Sequence, residues 1–389
     1  MATLYFNGAV DNDWATIATY ATGGSATFSS QPADGEYIIV FGNAFEFDND
    51  SSITGDVAVT IGADLAETLA NLKSALESTV IVSASITGGD TINLTATDPG
   101  TAGNTTVDVT NASSVSSSTN ISGGSDGNWW TDAACTIPST TLPTSSDDVF
   151  LNAVINSNSG SEPTVANLTT SYGIVINALT VTGVATFNSI LYYMPTLTGN
   201  CVFNGDSYVG FMSVINGDCT FNGTATTDAS ITGDCVFNDS SSNRGSIIGV
   251  VTFNNNSYNN SDYYYNRSVY SDATFNDTSH NDGTVYGNGT FNDNSYNIGT
   301  VDENATFNGN STNSTATSES PCISIVNGRA DFKEGSVNYG SAPDAHYYDS
   351  SFNASCGVCT GEGWISVLEN RQSYPIPRGI NGSNILGVI

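Results

Sequence analysis

The sequence predicts a mostly β protein in which a parallel β-solenoid of about 16-residue turns follows a small inserted α+β domain. Three observations carry this. A Thr/Val-Phe-Asn triplet places Phe187, Phe203, Phe221, Phe237, Phe253, Phe275, Phe291 and Phe307 at spacings of 16, 18, 16, 16, 22, 16 and 16 residues. A second apolar column, Leu197, Ile215, Ile231, Ile247, Val269, Val285 and Val301, keeps a fixed distance of six residues before the next Phe. Residues 25–125 have a different texture, with one amphipathic helix among short β-rich runs.

The fixed six-residue phase puts the extra residues of the two longer repeats between Phe and the aliphatic residue, so loops leave the coil at one corner. Two residues before each Phe stands a small or slender residue: Ala185, Cys201, Cys219, Cys235, Val251, Ala273, Gly289 or Ala305. Strand periodicity turns these toward the Phe side, where a narrow interior needs small groups. The residue between, mostly Thr, faces outward and stacks well up a parallel sheet. The Asn after each Phe suits a corner and can form a ladder of side-chain amides. Gly217-Asp218, Gly233-Asp234 and Gly287-Asn288 read as turns. Eight such turns would rise roughly 35–40 Å. An amyloid-like polar tract is the rival reading, but two columns in fixed phase are more order than composition bias produces.

In the N-terminal part, TFSSQPADGEYIIVFGNAFEF predicts a hairpin turning at Pro32-Ala33-Asp34-Gly35. The next segment sets Leu65, Leu69, Leu72 and Leu76 on one helical face. Strands with turns at Gly88-Gly89 and Pro99-Gly100 follow, which makes one helix on a small antiparallel sheet. The expected organisation is a split attachment or capping segment (1–24 and 126–164), the inserted domain (25–125), the solenoid (165–320) and a C-terminal contact region (321–389).

The charge narrows the partners. With 7 Lys+Arg against 38 Asp+Glu the net charge is −31, which opposes binding to nucleic acid or an anionic membrane surface and could attract divalent cations. No apolar run reaches spanning length. The opening residues carry no basic-then-apolar export pattern, and 7 scattered cysteines do not suggest a disulfide framework. Hydrophobic residues at 39%, placed periodically, argue against disorder.

PADG (32–35), the helix LAETLANLKSAL (65–76) and LTATDPGTAGN (94–104) together resemble a small domain recurrent in structural proteins of tailed bacteriophages. The resemblance covers about a quarter of the chain. DNDWATIATYAT (11–22) and GNWWTDAACTIPSTTLPTSSDDVFL (127–151) look like two halves of one segment, similar to Trp-containing openings that precede β-solenoids in phage appendages. YPIPRGINGSNILGVI (374–389) looks like the closing peptide of phage virion proteins. The resemblance implies a virion protein assembled in a host cytoplasm, partnered by other virion proteins and by copies of itself, with a homotrimer as the expected form.

Several constellations have residue types that could carry chemistry. Asp218 and Asp234, with Asp272 further up, occupy one repeat position and would lie near the separation of a retaining glycosidase pair; the alternative is turn residues exchangeable with Asn288 and Asn304. Cys201, Cys219 and Cys235 read as small buried hydrophobes. Cys356 and Cys359, with Cys322 and His346, could make a zinc site, or a disulfide or free thiols. His280 shares a column with Tyr208, Tyr258 and Tyr296 and reads as a stacking residue. No catalytic triad or phosphate loop stands out. Acidic loops Asp48-Asn49-Asp50 and Asp11-Asn12-Asp13 could take calcium, although neither has EF-hand spacing; no other cofactor is expected. The sharper candidate is an aromatic corner: Tyr263, Tyr264, Tyr265, Arg267 and Tyr270 on the longest turn, with Tyr208 and Phe211 on the other long one. Aromatics beside Asp and Asn suit a host surface glycan or a subunit contact equally.

The expected function is therefore a non-enzymatic phage virion protein, a fibre-like appendage for host attachment or surface display. The alternatives are a capsid decoration or cement protein, a polysaccharide-degrading tailspike, and a bacterial adhesin, which would need an export signal.

Overall fold

The computed structural model describes residues 2–11, 13–153, 155–157, 164–170, 174–176, 178–188, 196–210, 213–260, 268–313, 324–342, 344–353, 363–367 and 372–376. The chain divides into two compact units, residues 2–142 and residues from Pro143 onward.

The first unit holds the inserted domain, the N-terminal half of the segment that flanks it and residues 126–142 of the second half; the rest of that half, to 164, falls in the second unit. Its core lies between two four-stranded sheets. One has the order Val82–Thr87, Thr91–Ala96, Gly24–Phe28, Val115–Thr119; the other has Val57–Thr60, Asn43–Asp48, Tyr37–Val40, Val107–Asn111. Phe28 of the first meets Phe47 of the second edge to face at 5.8 Å, and Ile38, Val40, Phe45, Ile92 and Leu94 fill the space between. The expected single antiparallel sheet is thus two sheets, and the second contains a parallel pair, Asn43–Asp48 with Val57–Thr60.

The expected hairpin at Pro32–Gly35 is also corrected, because the strands on either side of it belong to different sheets. The chain reverses instead at Phe41-Gly42, between Tyr37–Val40 and Asn43–Asp48. Both turn residues have positive φ, 51° and 78°, the geometry that matches the twist of a two-residue hairpin.

The single helix, Leu65–Thr79, starts where the Asp64 carboxylate accepts the Glu67 N–H at 2.9 Å while Glu67 accepts the Ala63 N–H at 2.7 Å. Leu69, Leu72 and Leu76 are sealed in the core, whereas Leu65 is half-buried and Thr68 takes the inner position at the first turn. The two flanking halves meet around Trp129. Thr3–Phe6 pairs antiparallel with Trp129–Trp130, and the Trp129 indole N–H donates to the Trp14 carbonyl at 2.8 Å. Trp14 and Phe6 pack edge-on against Trp129 at 4.7 and 5.1 Å.

The second unit is a parallel β-solenoid. From Val214 onward the coils are built of short strands, three to a coil as in Ser230–Thr232, Cys235–Phe237 and Ser242–Asn243, whereas in Ala178–Phe187 and Thr196–Phe203 the first two are continuous. First and second strands of successive coils join one long sheet; third strands, from Tyr208–Val209 to Phe352–Asn353, form a nine-stranded sheet of their own. Every expected core position is buried: the eight Phe rings and Ile215, Ile231, Ile247, Val269, Val285 and Val301 are all 1% exposed or less. Neighbouring Phe rings stack 4.5–4.9 Å apart, and the column continues through Phe332 to Tyr347, beyond the Thr-Phe-Asn triplets. Parallel register begins with Asp148–Leu151 against Asn167–Thr170 and reaches Tyr347 against Ile365, so it runs past both ends of 165–320. An antiparallel pair, Gly363–Val367 with Gln372–Ile376, follows the last parallel step.

Hydrogen bonds between coils include backbone ladders and side-chain ladders. The corner Asn after each Phe donates Nδ2 to Oδ1 of its counterpart one coil earlier, from Asn204 to Asn188 through Asn308 to Asn292, at 2.8–3.0 Å. A second ladder lies inside. Asn243, Asn259, Asn281, Asn297, Asn313 and Asn338, from third strands, are 1% exposed or less and link forward at 2.8–3.0 Å. Interior asparagine is tolerated because its partner is supplied by the next copy of itself.

Two backbone positions recur along the solenoid. Two residues after the Phe column the chain takes φ of 56–70° at Gly205, Gly223, Asp239, Asn255, Asp277, Asp293, Gly309, Glu334 and Asp349, a conformation that favours Gly, Asn and Asp. At the bend between first and second strands Gly217 and Gly233 lie so close that a Cβ on Gly233 would collide with the Gly217 carbonyl.

Candidate functional site

The outer side of the third sheet carries a column in strand register: Tyr208, Thr226, Ser242, Tyr258, His280, Tyr296 and Thr312. Tyr258, His280 and Tyr296 stack with centroid separations of 5.0 and 4.6 Å and nearly parallel planes. The stacking role expected for His280 is what the geometry shows. Two residues further along each strand runs a second column that includes Asp228, Arg244 and Asp282. Asp228 is buried; its carboxylate accepts the Tyr208 hydroxyl at 2.7 Å and pairs with the Arg244 guanidinium at 3.4 Å.

This strip is where the solenoid withdraws ionisable groups from water. Burial lowers the His280 pKa to about 4, so its imidazole is neutral at pH 7. Burial raises Asp282, and burial together with the Asp282 charge raises Tyr296. Such desolvated groups are a mark of functional surfaces. Their stacking also limits what they can do. Rings stacked face to face present edges to solvent, so within Tyr258–His280–Tyr296 the faces that would receive a sugar ring are already occupied.

Among the described strands from Tyr208 to Val326, the longer connections from a third strand to the next first strand are 210–213, 260–267 and 314–324. Of the aromatic corner candidates, Phe211, Tyr263, Tyr264, Tyr265 and Arg267 lie outside the described residues. Tyr208 and Tyr270 belong to different sheets: Tyr208 is on the third sheet, while Tyr270 follows a first strand, is 47% exposed and stacks on Tyr286 at 5.0 Å. Asp228 and Asp282 were missed by the sequence reading; a sixteen-residue alignment of the third strands would have set both beside the aromatic column.

The remaining candidates have structural employment. Asp218 Oδ1 accepts the Asp234 N–H at 2.9 Å, Asp234 Oδ1 accepts the Val250 N–H at 2.8 Å, and Asn288 and Asn304 do the same in later coils. Cys201, Cys219 and Cys235 are buried free thiols in adjacent register. The neighbouring Cys201 thiol, together with burial, pushes Cys219 well above the ordinary thiol range; Cys219 and burial do the same to Cys235, so neither is an available nucleophile at neutral pH.

For metals, His346 Nε2 is 2.9 Å from Asp344 Oδ1, while Cys322, Cys356 and Cys359 lie outside the described residues. Asp34 joins Asp48 and Asp50 so that one carboxylate oxygen of each lies within 4.8 Å of the others, the hard-oxygen donor set calcium prefers. Those oxygens also hold the loop: Asp48 Oδ1 accepts the N–H groups of Asp50, Ser51 and Ser52, and Asp34 Oδ1 that of Asn49. At the other acidic loop Asn12 is outside the described residues. Among the described residues no helix is long and apolar enough to cross a membrane. No protein family, curated protein or solved structure matches the chain.

Proposed function

We propose that this chain is a non-enzymatic structural protein of a tailed-phage virion, a rigid appendage for host attachment or surface display. The observation that carries the rod reading is that the recurring Asn residues and the bend Asp and Asn residues make coil-to-coil bonds. The corner Asn ladder, the interior Asn ladder and the Asp218–Asp234 bend all link one coil to the next. That removes the motive for reading Asp218 and Asp234 as a glycosidase pair. The phage setting is supported by the resemblance of residues 25–125 and of the two halves that meet at Trp129. A homotrimer would cover solenoid faces and edges, and the −31 charge suits a surface-displayed protein that stays clear of nucleic acid.

The test is immunogold electron microscopy of particles from the source, with antibody raised against the full chain. Label on tail or baseplate rods supports an attachment fibre, and label over the capsid lattice supports a decoration protein. Particles that carry no label overturn the virion reading.

A further inference from the structure

In most coils the outward residue after the first-strand aliphatic is polar: Thr198, Asn216 and Thr232 early, Asp302 and Asn327 late. Three successive coils depart from this with Ile248, Tyr270 and Tyr286. The coil of Ile248 departs twice. At its bend stands Val250, where neighbouring coils place Asp234 and Asp272, whose carboxylates accept an N–H of the next coil. Val250 gives up that acceptor and puts an apolar side chain into water. Ile248 is 58% exposed, Val250 52% and Tyr270 47%. The Tyr270 and Tyr286 rings stack at 5.0 Å, and Ile248 lies one strand-step, about 4.8 Å, below Tyr270. The Tyr pair gains a ring stack, but Val250 loses a bend acceptor and gains no packing from its exposure, and a contiguous exposed apolar strip marks an interaction surface.

The surroundings fix the sign of the partner. Asp234 and Asp272 flank Val250 in register, and Asp302 flanks Tyr286. The first and second strands from 230 to 307 contain no Lys or Arg. We propose that Ile248, Val250, Tyr270 and Tyr286 form a docking surface for a partner-protein segment that presents apolar side chains between lysines or arginines. A second copy placing the same strip here is disfavoured as occupant, because it would bring its own Asp234, Asp272 and Asp302 against this acidic rim. The proposal does not depend on the virion reading.

The test uses the full chain and two labelled probes, an amphipathic Leu/Lys peptide and its Leu/Glu counterpart, followed by fluorescence anisotropy. Three variants are compared with the parent: Ile248→Ser with Tyr270→Ser, Val250→Asn, and Val184→Ser as a distant exposed control. Val250→Asn restores the residue type of the bend ladder without changing charge, so the fold is kept or strengthened. The expected result is binding of the Leu/Lys peptide only. It should weaken at least tenfold in the double variant and severalfold in Val250→Asn, and stay unchanged in Val184→Ser. Equal binding by all four proteins would show general attraction to an acidic surface and overturn the proposal. So would absence of Leu/Lys binding to the parent, or self-association of the parent in sedimentation that the double variant abolishes.

Discussion

Asn281 donates its side-chain amide to Asn297 Oδ1 at 2.8 Å in a position from which water is excluded at both residues. Asn281 Oδ1 in turn accepts from Asn259, so one side chain closes two inter-coil bonds. Asn281→Ala strands the Asn259 donor and the Asn297 acceptor inside the coil. The expected loss is about 2–3 kcal/mol, the penalty of unsatisfied buried groups. Asn292→Ala breaks the corner ladder where water can replace the partner, and should lose about 1 kcal/mol or less. Urea unfolding of the two variants checks this: equal effects would show that the interior ladder is worth no more than the outer one.

Phe291 sits between Phe275 and Phe307, its ring stacked 4.8 Å from each. Phe291→Ala opens a cavity walled by neighbours that are fixed by their own coils and cannot collapse into it. The expected destabilisation is about 3–5 kcal/mol. Thr290→Ala, one residue away on the outer side, should change stability by less than about 0.5 kcal/mol. Thermal unfolding of the pair tests the register directly, since a shift of one residue would exchange the two results.

The Phe and aliphatic columns were legible because a solenoid writes its core as a period, and a period survives insertions. The third strands were not. They are two residues long, and their inward residue is Asn from Asn243 onward, so hydropathy assigns it to the surface. Its burial depends on an identical residue in the next coil, which is a property of the stack and not of a local window. The extension of the core to Phe332 and Tyr347 was hidden by loss of the triplet, as Ala-Asp-Phe-Lys and Ala-His-Tyr-Tyr replace it. At Pro32–Gly35 the turn chemistry is real but joins two sheets; the actual reversal uses Phe41, a residue that sends no turn signal. The corner where the site candidates cluster was legible as sequence length, since the insertions at 210–213, 260–267 and 314–324 fall between a third strand and the next first strand. That Tyr208 and Tyr270 belong to different sheets was not, because only the three-strand coil separates them.

The bend ladder distinguishes a structural carboxylate from a catalytic one. Asp234→Asn preserves the acceptor for the Val250 N–H, and Asn already serves at 288 and 304. It should leave stability within about 0.5 kcal/mol of the parent, whereas Asp234→Ala should lose about 1 kcal/mol with the hydrogen bond. Polysaccharide depolymerisation by the parent that Asp234→Asn abolishes without unfolding the chain would instead restore the glycosidase reading.

His280 gives the solenoid a pH dependence of determinate sign. Burial between Tyr258 and Tyr296 holds its folded pKa at about 4, below the ordinary 6.5. The unfolded chain therefore binds a proton as pH falls through 6.5, while the folded chain does not until about 4. Stability is full above the ordinary pKa and declines across that window. His280→Tyr repeats the residue of the adjacent coils and keeps the stack without a group that titrates there. Its unfolding midpoint should match or exceed the parent at pH 7.5 and fall less between pH 7.5 and pH 5, a range lying mostly above the carboxylate titrations. Midpoints measured at the two pH values decide it. Parallel declines in both proteins would mean that the imidazole is protonated in the folded coil, and that the ring stack does not shield it from water.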